Sequence, residues 1–441
     1  MDKQRTNSEL PSPPGSCTNY TVNILFLGIF FGLMYGLINL FPQMPLAWLS
    51  CSCLLATVIP LSLYELLVLK TYQRPSTGLL AKTGEFNRER VVIKLIGLVG
   101  TFLIILYSYF FIPFYRNSFF APFFEYLKVL SPFIILLCMV YFIKIDPRQA
   151  DPYDGYWHMG CLLTGRLKNV NGIILKEYLL VWFIKAFFTP IMLGILVKNI
   201  QEILLFNWYA HPKFFYSAYL FLLLLFYTVD VIYGFLGYML TCRVLDNHIR
   251  STEPTFLGWV TCLACYYPFS QLYGISLLKY DEGFTWAEWF SFSPFSYYFI
   301  GSLIIIFSLI YALATVAIGY RMSNLTYRGI ITSGPYRLTK HPAYMSKVLS
   351  WWLISLPFFS TGGGKGALKQ TLALAGISLI YYLRARTEEN HLSNYPEYVE
   401  YANWIKEHGA FHFLTKYFPF WQYSENKVKR WNSIVWFKKL K

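Results

Sequence analysis

A chain of 441 residues that is 56% hydrophobic, 20% aromatic and only 14% charged falls outside the ordinary soluble class, in which about 25% of residues are charged. The net charge of +15 does not mark a nucleic-acid surface, because Lys and Arg are scattered between apolar runs rather than gathered on one polar domain; cations placed beside anionic lipid headgroups fit that spread better. The eight Cys stand singly or inside apolar runs and read as reduced core residues. Cys262-x-x-Cys265 lies in such a run, a poor setting for a redox or zinc pair.

Residues 1–20 are polar and rich in Pro and Ser. With no cleavage pattern after the first apolar run, they read as a disordered cytosolic tail. A membrane span needs about 20 mostly apolar residues, and the runs at 21–41, 46–69, 92–114, 126–145, 178–197, 214–240, 256–278, 294–319, 345–360 and 368–383 qualify. The expected fold is therefore an all-α integral membrane protein of about ten transmembrane helices.

Loop charge orients the spans. Alternate loops hold Lys70, Arg74, Lys82, Arg88 and Arg90, then Lys144, Arg148, Arg166, Lys168 and Lys176, then Arg243 and Arg250, then Arg321, Arg328, Arg337 and Lys340. The loops between them are poor in cations; 279–292 carries Asp281, Glu282 and Glu288. The positive-inside rule then puts both termini in the cytosol.

Several polar stretches read as structural. Asp146, Asp151, Asp154, His158 and Cys161 fall in a loop interrupted by Pro147 and Pro152, so a solvated loop is expected rather than a metal site. Ser251 or Thr252 is expected to cap the next helix. Thr361 to Gly366 lacks the spacing of a phosphate loop and reads as a turn. In 406–441, Phe411, Trp421, Trp431 and Trp436 alternate with Lys427, Lys429, Arg430 and Lys438, the pattern of an interfacial segment.

Two clusters carry chemistry. In the first, Gly334-Pro335-Tyr336 makes a turn and Pro342 suits the first turn of a helix begun at His341. Such a helix start offers unpaired backbone N–H groups and a positive dipole end to an anion. In the second, Arg384 and Glu388 stand at i and i+4, on one helix face. Glu388 suits an ammonium or ribose hydroxyls, and Arg384 a carboxylate or phosphate.

Thr332-Ser333-Gly334-Pro335-Tyr336-Arg337, then Lys340-His341-Pro342-Ala343-Tyr344, then Arg384-x-Arg386-x-Glu388-Glu389 and the closing Tyr395, Tyr398 and Tyr401 resemble the isoprenylcysteine carboxyl methyltransferase and phospholipid N-methyltransferase superfamily. The likeness covers about residues 295–405 and departs at Lys340, where the family usually has Arg. It implies a methyltransferase-like helical core at 291–405, behind a transmembrane scaffold at 21–290 of about seven spans. It further implies S-adenosylmethionine as cofactor, held by Arg328, Gly329, Ile330, Ile331, Tyr336, His341, Pro342, Ala343, Tyr344 and Glu388. Arg384 would meet the acceptor, with Arg384 and His341 at the reacting end. The acceptor implied is a lipid or lipid-linked carboxylate or amine.

Two other readings make different demands. A sterol-reductase-like enzyme would use NADPH, but its C-terminal Arg-Asp, Lys-Tyr-Gly and Trp signature is missing, with Asn394-Tyr395-Pro396 in its place. A transporter or scaffold needs ionisable residues in mid-span; Lys185 and Asp230 qualify, and Glu65 lies nearer a helix end.

Overall fold

Polar residues placed just ahead of apolar runs start the helices. Asn19 accepts from the Val22 amide, Asn87 from Arg90, Asn171 from Ile173 and Ile174, and Ser293 from Ser296; each satisfies amides that a helix start leaves unpaired. The computed structural model describes residues 12–82, 84–272, 280 and 284–413. In chain order it has α1 (Tyr20–Leu40), α2 (Leu46–Leu67), α3 (Arg88–Phe111), α4 (Ala121–Ile145), α5 (Gly155–Leu163), α6 (Gly172–Leu204) and α7 (Phe214–Met239). There follow α8 (Phe256–Leu263), α9 (Phe269–Leu272), α10 (Trp286–Trp289), α11 (Pro294–Ile318), α12 (Pro342–Ser355), α13 (Gly363–Leu392) and α14 (Pro396–His408). One antiparallel ribbon interrupts the helices: β1 (Ser251–Thr252) pairs with β2 (Thr326–Tyr327), Ser251 opposite Tyr327.

Among the described residues seven helices are long and apolar enough to cross a membrane: α1, α2, α3, α4, α6, α7 and α11. Their exposed side chains are those of a lipid-facing surface, such as Phe133, Leu136, Leu137 and Val140 on α4. The other three expected spans fall short for separate reasons. The run 256–278 is broken after the eight residues of α8, and 273–279 lie outside the described residues. Helix α12 has 14 residues, about 21 Å at 1.5 Å each, and stops where Leu356 turns left-handed (φ 40) before Pro357. Helix α13 is 30 residues long but polar at both ends.

Helices α7 and α11 lie side by side and run the same way. Near their starts, the Phe215 and Tyr298 rings are 5.0 Å apart; near their ends, Gly237 abuts the Met322 backbone so closely that an added Cβ would overlap the Met322 carbonyl oxygen. Small residues admit such approaches in membrane bundles, where lipid tails provide no hydrophobic drive between helices. Helix α12 returns antiparallel along α11, and the two ends that meet, together with the end of α13, hold the polar residues of interest.

Three further expectations are corrected. Of the tail expected to be disordered, residues 12–19 are ordered: the Cys17 amide donates to the Ile330 carbonyl (3.0 Å), Thr332 Oγ1 to the Pro14 carbonyl (2.6 Å) and Thr18 Oγ1 to the Ala317 carbonyl (2.7 Å). The acidic loop after α4 is solvated only in part: Asp151 is exposed, but Asp146, His158 and Cys161 are buried. Fully buried Lys94 sits 2.9 Å from Asp146 and 3.4 Å from Asp154, and Arg90 reaches Asp146 at 2.6 Å, as buried charges require. The stretch expected to be a turn at 361–366 already contains the start of α13. The interfacial tail lies outside the described residues beyond residue 413.

Candidate functional site

The loop between α11 and α12 is long and polar, and fixing it in one shape takes many partners. Asp246, buried and left-handed (φ 50), supplies one anchor: it accepts from Ser76 (2.9 Å) and lies 3.2 Å from Arg250, 3.2 Å from Arg321 and 3.5 Å from Arg74. Burial alone would raise its carboxyl, but the guanidinium groups, Arg321 foremost, outweigh that and hold it below the ordinary range. Arg321 in turn donates to the Arg328 carbonyl (2.6 Å). Arg328 donates to the Gly237 carbonyl (2.5 Å) and to Asn247 (3.3 Å), while its Nε and Nη2 have no partner among the described residues. Burial pulls the Arg328 guanidinium down to about 9, which leaves it charged at neutral pH. Gly329 follows at φ 114, a conformation that side-chain-bearing residues rarely take.

A second clasp joins the start of α12 to the end of α13. Buried Glu389 accepts from Lys340, from His341 Nε2 (3.2 Å) and from Arg386 (2.7 Å). Desolvation pushes that carboxyl up, but Lys340, His341 and Arg386 prevail and hold it well below the usual carboxylate range. Helix α14 and the residues just after it close over the loop: Tyr401 donates to the Tyr336 carbonyl (2.8 Å), and the Ala410 amide to the Leu338 carbonyl (2.9 Å).

Between these clasps lies a cavity of about 410 Å³, within the range of roughly 300–1,000 Å³ that suits small-molecule ligands. Arg328, Gly329, Ile330, Ile331 and Tyr336 line it from the loop, His341, Ala343 and Tyr344 from α12, and Arg384 and Glu388 from α13. Pro342 is the expected site residue that stays out of the lining; it is buried at the start of α12. The Tyr344 hydroxyl donates to Glu388 (2.8 Å). Arg384 donates to the Asn324 side-chain oxygen, and its guanidinium lies 5.1 Å from the Tyr344 ring centroid and 6.0 Å from that of Tyr381; among the described residues no carboxylate pairs with it.

His341 and Glu388 therefore face one cavity but do not touch: His341 turns to Glu389 and Glu388 to Tyr344. Glu253, Cys262 and His391 line a smaller cavity of about 50 Å³, which shares Arg384 and Glu388 with the first. Here burial pushes the Glu253 carboxyl up to about 7, against the hydrogen bonds of Thr255, and pulls the His391 imidazole down to about 4. Their 3.8 Å approach is then a contact of neutral groups around pH 5 to 6. Ser251 does not cap the helix after it. Its Oγ accepts from Tyr395 (2.5 Å) and lies 2.8 Å from His391 Nε2, Thr252 donates to Glu177, and Thr255 is the cap of α8.

Of the mid-span ionisable residues, Lys185 stands 4.5 Å from the Trp182 ring and away from the cavity, whereas Asp230 lines it. Asp230, Lys347, Asn324 and Tyr266 are lining residues that the two clusters did not announce. Lys347 was legible in principle, since it follows Tyr344 by three residues on the same helical face. Asn324 was not, for nothing in the loop's sequence marks it as the partner of Arg384. Among the described residues no group of three or more His, Cys, Asp and Glu is placed to hold a metal ion. No family model, curated protein or solved structure matches the chain.

Proposed function

We propose that the protein is an integral membrane methyltransferase that uses S-adenosylmethionine and acts on a lipid or lipid-linked carboxylate or amine. One observation carries the reading: residues 328–344 and residues 384–388, separate in sequence and each resembling one superfamily in its motif, converge on one cavity at one end of the bundle. The donors present suit the cofactor. The first-turn amides of α12 and Nη2 of Arg328, which respectively have no side-chain cap and no partner among the described residues, suit a carboxylate; Glu388, steadied by Tyr344, suits an ammonium or the ribose hydroxyls. When bound, S-adenosylmethionine supplies an electrophilic methyl on a sulfonium that leaves as a neutral thioether. The chain's part is to align the acceptor and exclude water. Arg384, held by Asn324 and two tyrosine rings and free of any carboxylate among the described residues, fixes the acceptor's anionic group. An acceptor carboxylate is ionised at neutral pH and needs no base.

The reading extends to topology. The parallel run of α7 and α11 calls for one return of the chain between them, and with α12 and α13 read as a short hairpin the proposal is ten passes with both termini on the cytosolic side. The test is calorimetry on the purified full chain. Micromolar binding of S-adenosylmethionine is expected, with Glu388→Ala abolishing it and Arg384→Ala leaving it within about twofold while depressing methyl transfer. Binding of NADPH in its stead, or a Glu388→Ala variant that binds the cofactor as the parent does, overturns the reading.

A further inference from the structure

The smaller cavity shares Tyr344, Arg384 and Glu388 with the larger one, while Glu253 and His391 line the smaller one alone. From these two a line of groups runs outward. His391 Nδ1 lies 3.8 Å from Glu253, His391 Nε2 lies 2.8 Å from Ser251 Oγ, and Ser251 Oγ lies 2.5 Å from the Tyr395 hydroxyl. Glu253 and His391 are buried, whereas Ser251 and Tyr395 are each partly exposed. A neutral imidazole gives a proton at one nitrogen and takes one at the other, and a hydroxyl does both, so every member of the line can pass a proton on. Around Glu253, Thr255 donates from its amide (3.0 Å) and its hydroxyl. Cys262 faces it from α8, Tyr344 from α12, and Arg384 and Glu388 from α13, while Glu177 of α6 is engaged by the neighbouring Thr252. Burial first, and the charge of Glu388 after it, keep the proton on Glu253 against the hydrogen bonds of Thr255.

We propose that Glu253, His391, Ser251 and Tyr395 form a proton relay from the cavity to the protein surface, driven by a cation seated on Glu388. An ammonium there cancels the charge that helps Glu253 to stay protonated. The Glu253 O–H bond then breaks and its proton joins His391 Nδ1. The Nε2 proton passes to Ser251 Oγ, that of Ser251 to Tyr395, and that of Tyr395 to water. Each carrier ends with the proton count it began with, and only Glu253 changes charge. A small swing of either side chain closes the 3.8 Å gap; contacts of this kind are often long before a ligand binds. A carboxylate thus faces the cavity once the cation is in place. The relay rests on the proposed function for the identity of that cation, the ammonium of the cofactor's amino-acid end. It gives the segment after α7, outside the stretch that resembles the methyltransferases, a task in proton traffic.

The experiment uses the purified full chain and S-adenosylhomocysteine, which carries the same amino-acid ammonium. Calorimetry at pH 7 in phosphate and in Tris, buffers of different ionisation enthalpy, counts the protons released on binding. The parent should release up to about half a proton, the share that a carboxyl titrating at about 7 still holds at that pH. Glu253→Gln should bind S-adenosylhomocysteine and release at least about fivefold fewer. Stopped flow with a pH indicator then follows the same proton in time. Ser251→Ala, and Tyr395→Phe with its ring still stacked on Tyr327, should release as many protons as the parent, at a rate lowered at least about tenfold against tryptophan-reported binding. Binding without proton release by the parent, or an equal release by Glu253→Gln, overturns the proposal and leaves the methyltransferase reading standing. Release as prompt as the parent's in both hydroxyl variants overturns the relay as the route. A parent that binds no S-adenosylhomocysteine overturns the methyltransferase reading and removes the relay's driving cation with it.

Discussion

At the scale of single residues, helix phase decides which of two adjacent carboxylates does what. Glu388 and Glu389 follow each other in sequence, and the i,i+4 spacing from Arg384 picked out Glu388 for the cavity. That much was legible, because 3.6 residues per turn puts Arg384 and Glu388 on one face. That Glu389 would gather Lys340, His341 and Arg386 was not, since it depends on where α12 begins relative to α13. Asp230 was visible as an ionisable residue in a span, but the cavity it faces exists only once α6, α7, α11, α12, α13 and α14 have packed. Nor did sequence show that Glu253 and His391 would meet. Their pairing yields a pH prediction.

The Glu253 carboxyl, raised from its ordinary 4.5 to about 7, adds stability that is complete below pH 4.5 and is lost as pH rises through 7. His391, lowered from 6.5 to about 4, adds stability that is present above pH 6.5 and is lost as pH falls through 4. The two slopes oppose and cancel between about pH 4.5 and 6.5. Glu253→Gln removes one of them. The variant should therefore gain stability relative to the parent as pH climbs through that window, by on the order of 2–3 kcal/mol. Denaturation midpoints measured at half-unit pH steps check this; parallel profiles for the two proteins would exclude it.

At the scale of elements, seven apolar runs correspond to helices long enough to cross a membrane, although α6 spans 172–204 where 178–197 was expected. Two others stop short for local reasons, and the run 256–278 lies partly outside the described residues. The ninth run continued in composition to Ser360, but the left-handed Leu356 and Pro357 end α12 earlier. The seventh contained Pro268, which marks where a continuous helix fails. The join between α7 and the loop after α11 is the tightest of these features to test. At Gly237 an added methyl meets the Met322 backbone rather than a side chain that could swing aside, and the same residue's carbonyl receives Arg328. Gly237→Ala should cost about 1–3 kcal/mol of stability and weaken cofactor binding with it. A thermal midpoint and affinity equal to the parent's would show that this contact carries neither load.

At the scale of the whole molecule, the parts that the family likeness divides into scaffold and core hold on to each other. Asp246, from the segment after α7, holds Arg321; Asn247 donates to the Tyr320 carbonyl at 2.9 Å; and residues 12–19 strap the loop that carries Arg328 to Ile331. Deleting residues 1–18 should leave the helices folded by circular dichroism while lowering S-adenosylmethionine affinity by about tenfold or more, because Thr332 and Ile330 lose their partners. Unchanged affinity would reduce the strap to decoration.

That strap has a consequence for synthesis. The hydrogen bond from Thr332 to Pro14 joins residues 318 positions apart, so residues 14–18 must wait, unseated, while the helices between them and the loop are made and threaded. A nascent chain arrested short of residue 330 should therefore present residues 12–19 to added protease, and the same residues should become resistant once the loop has emerged.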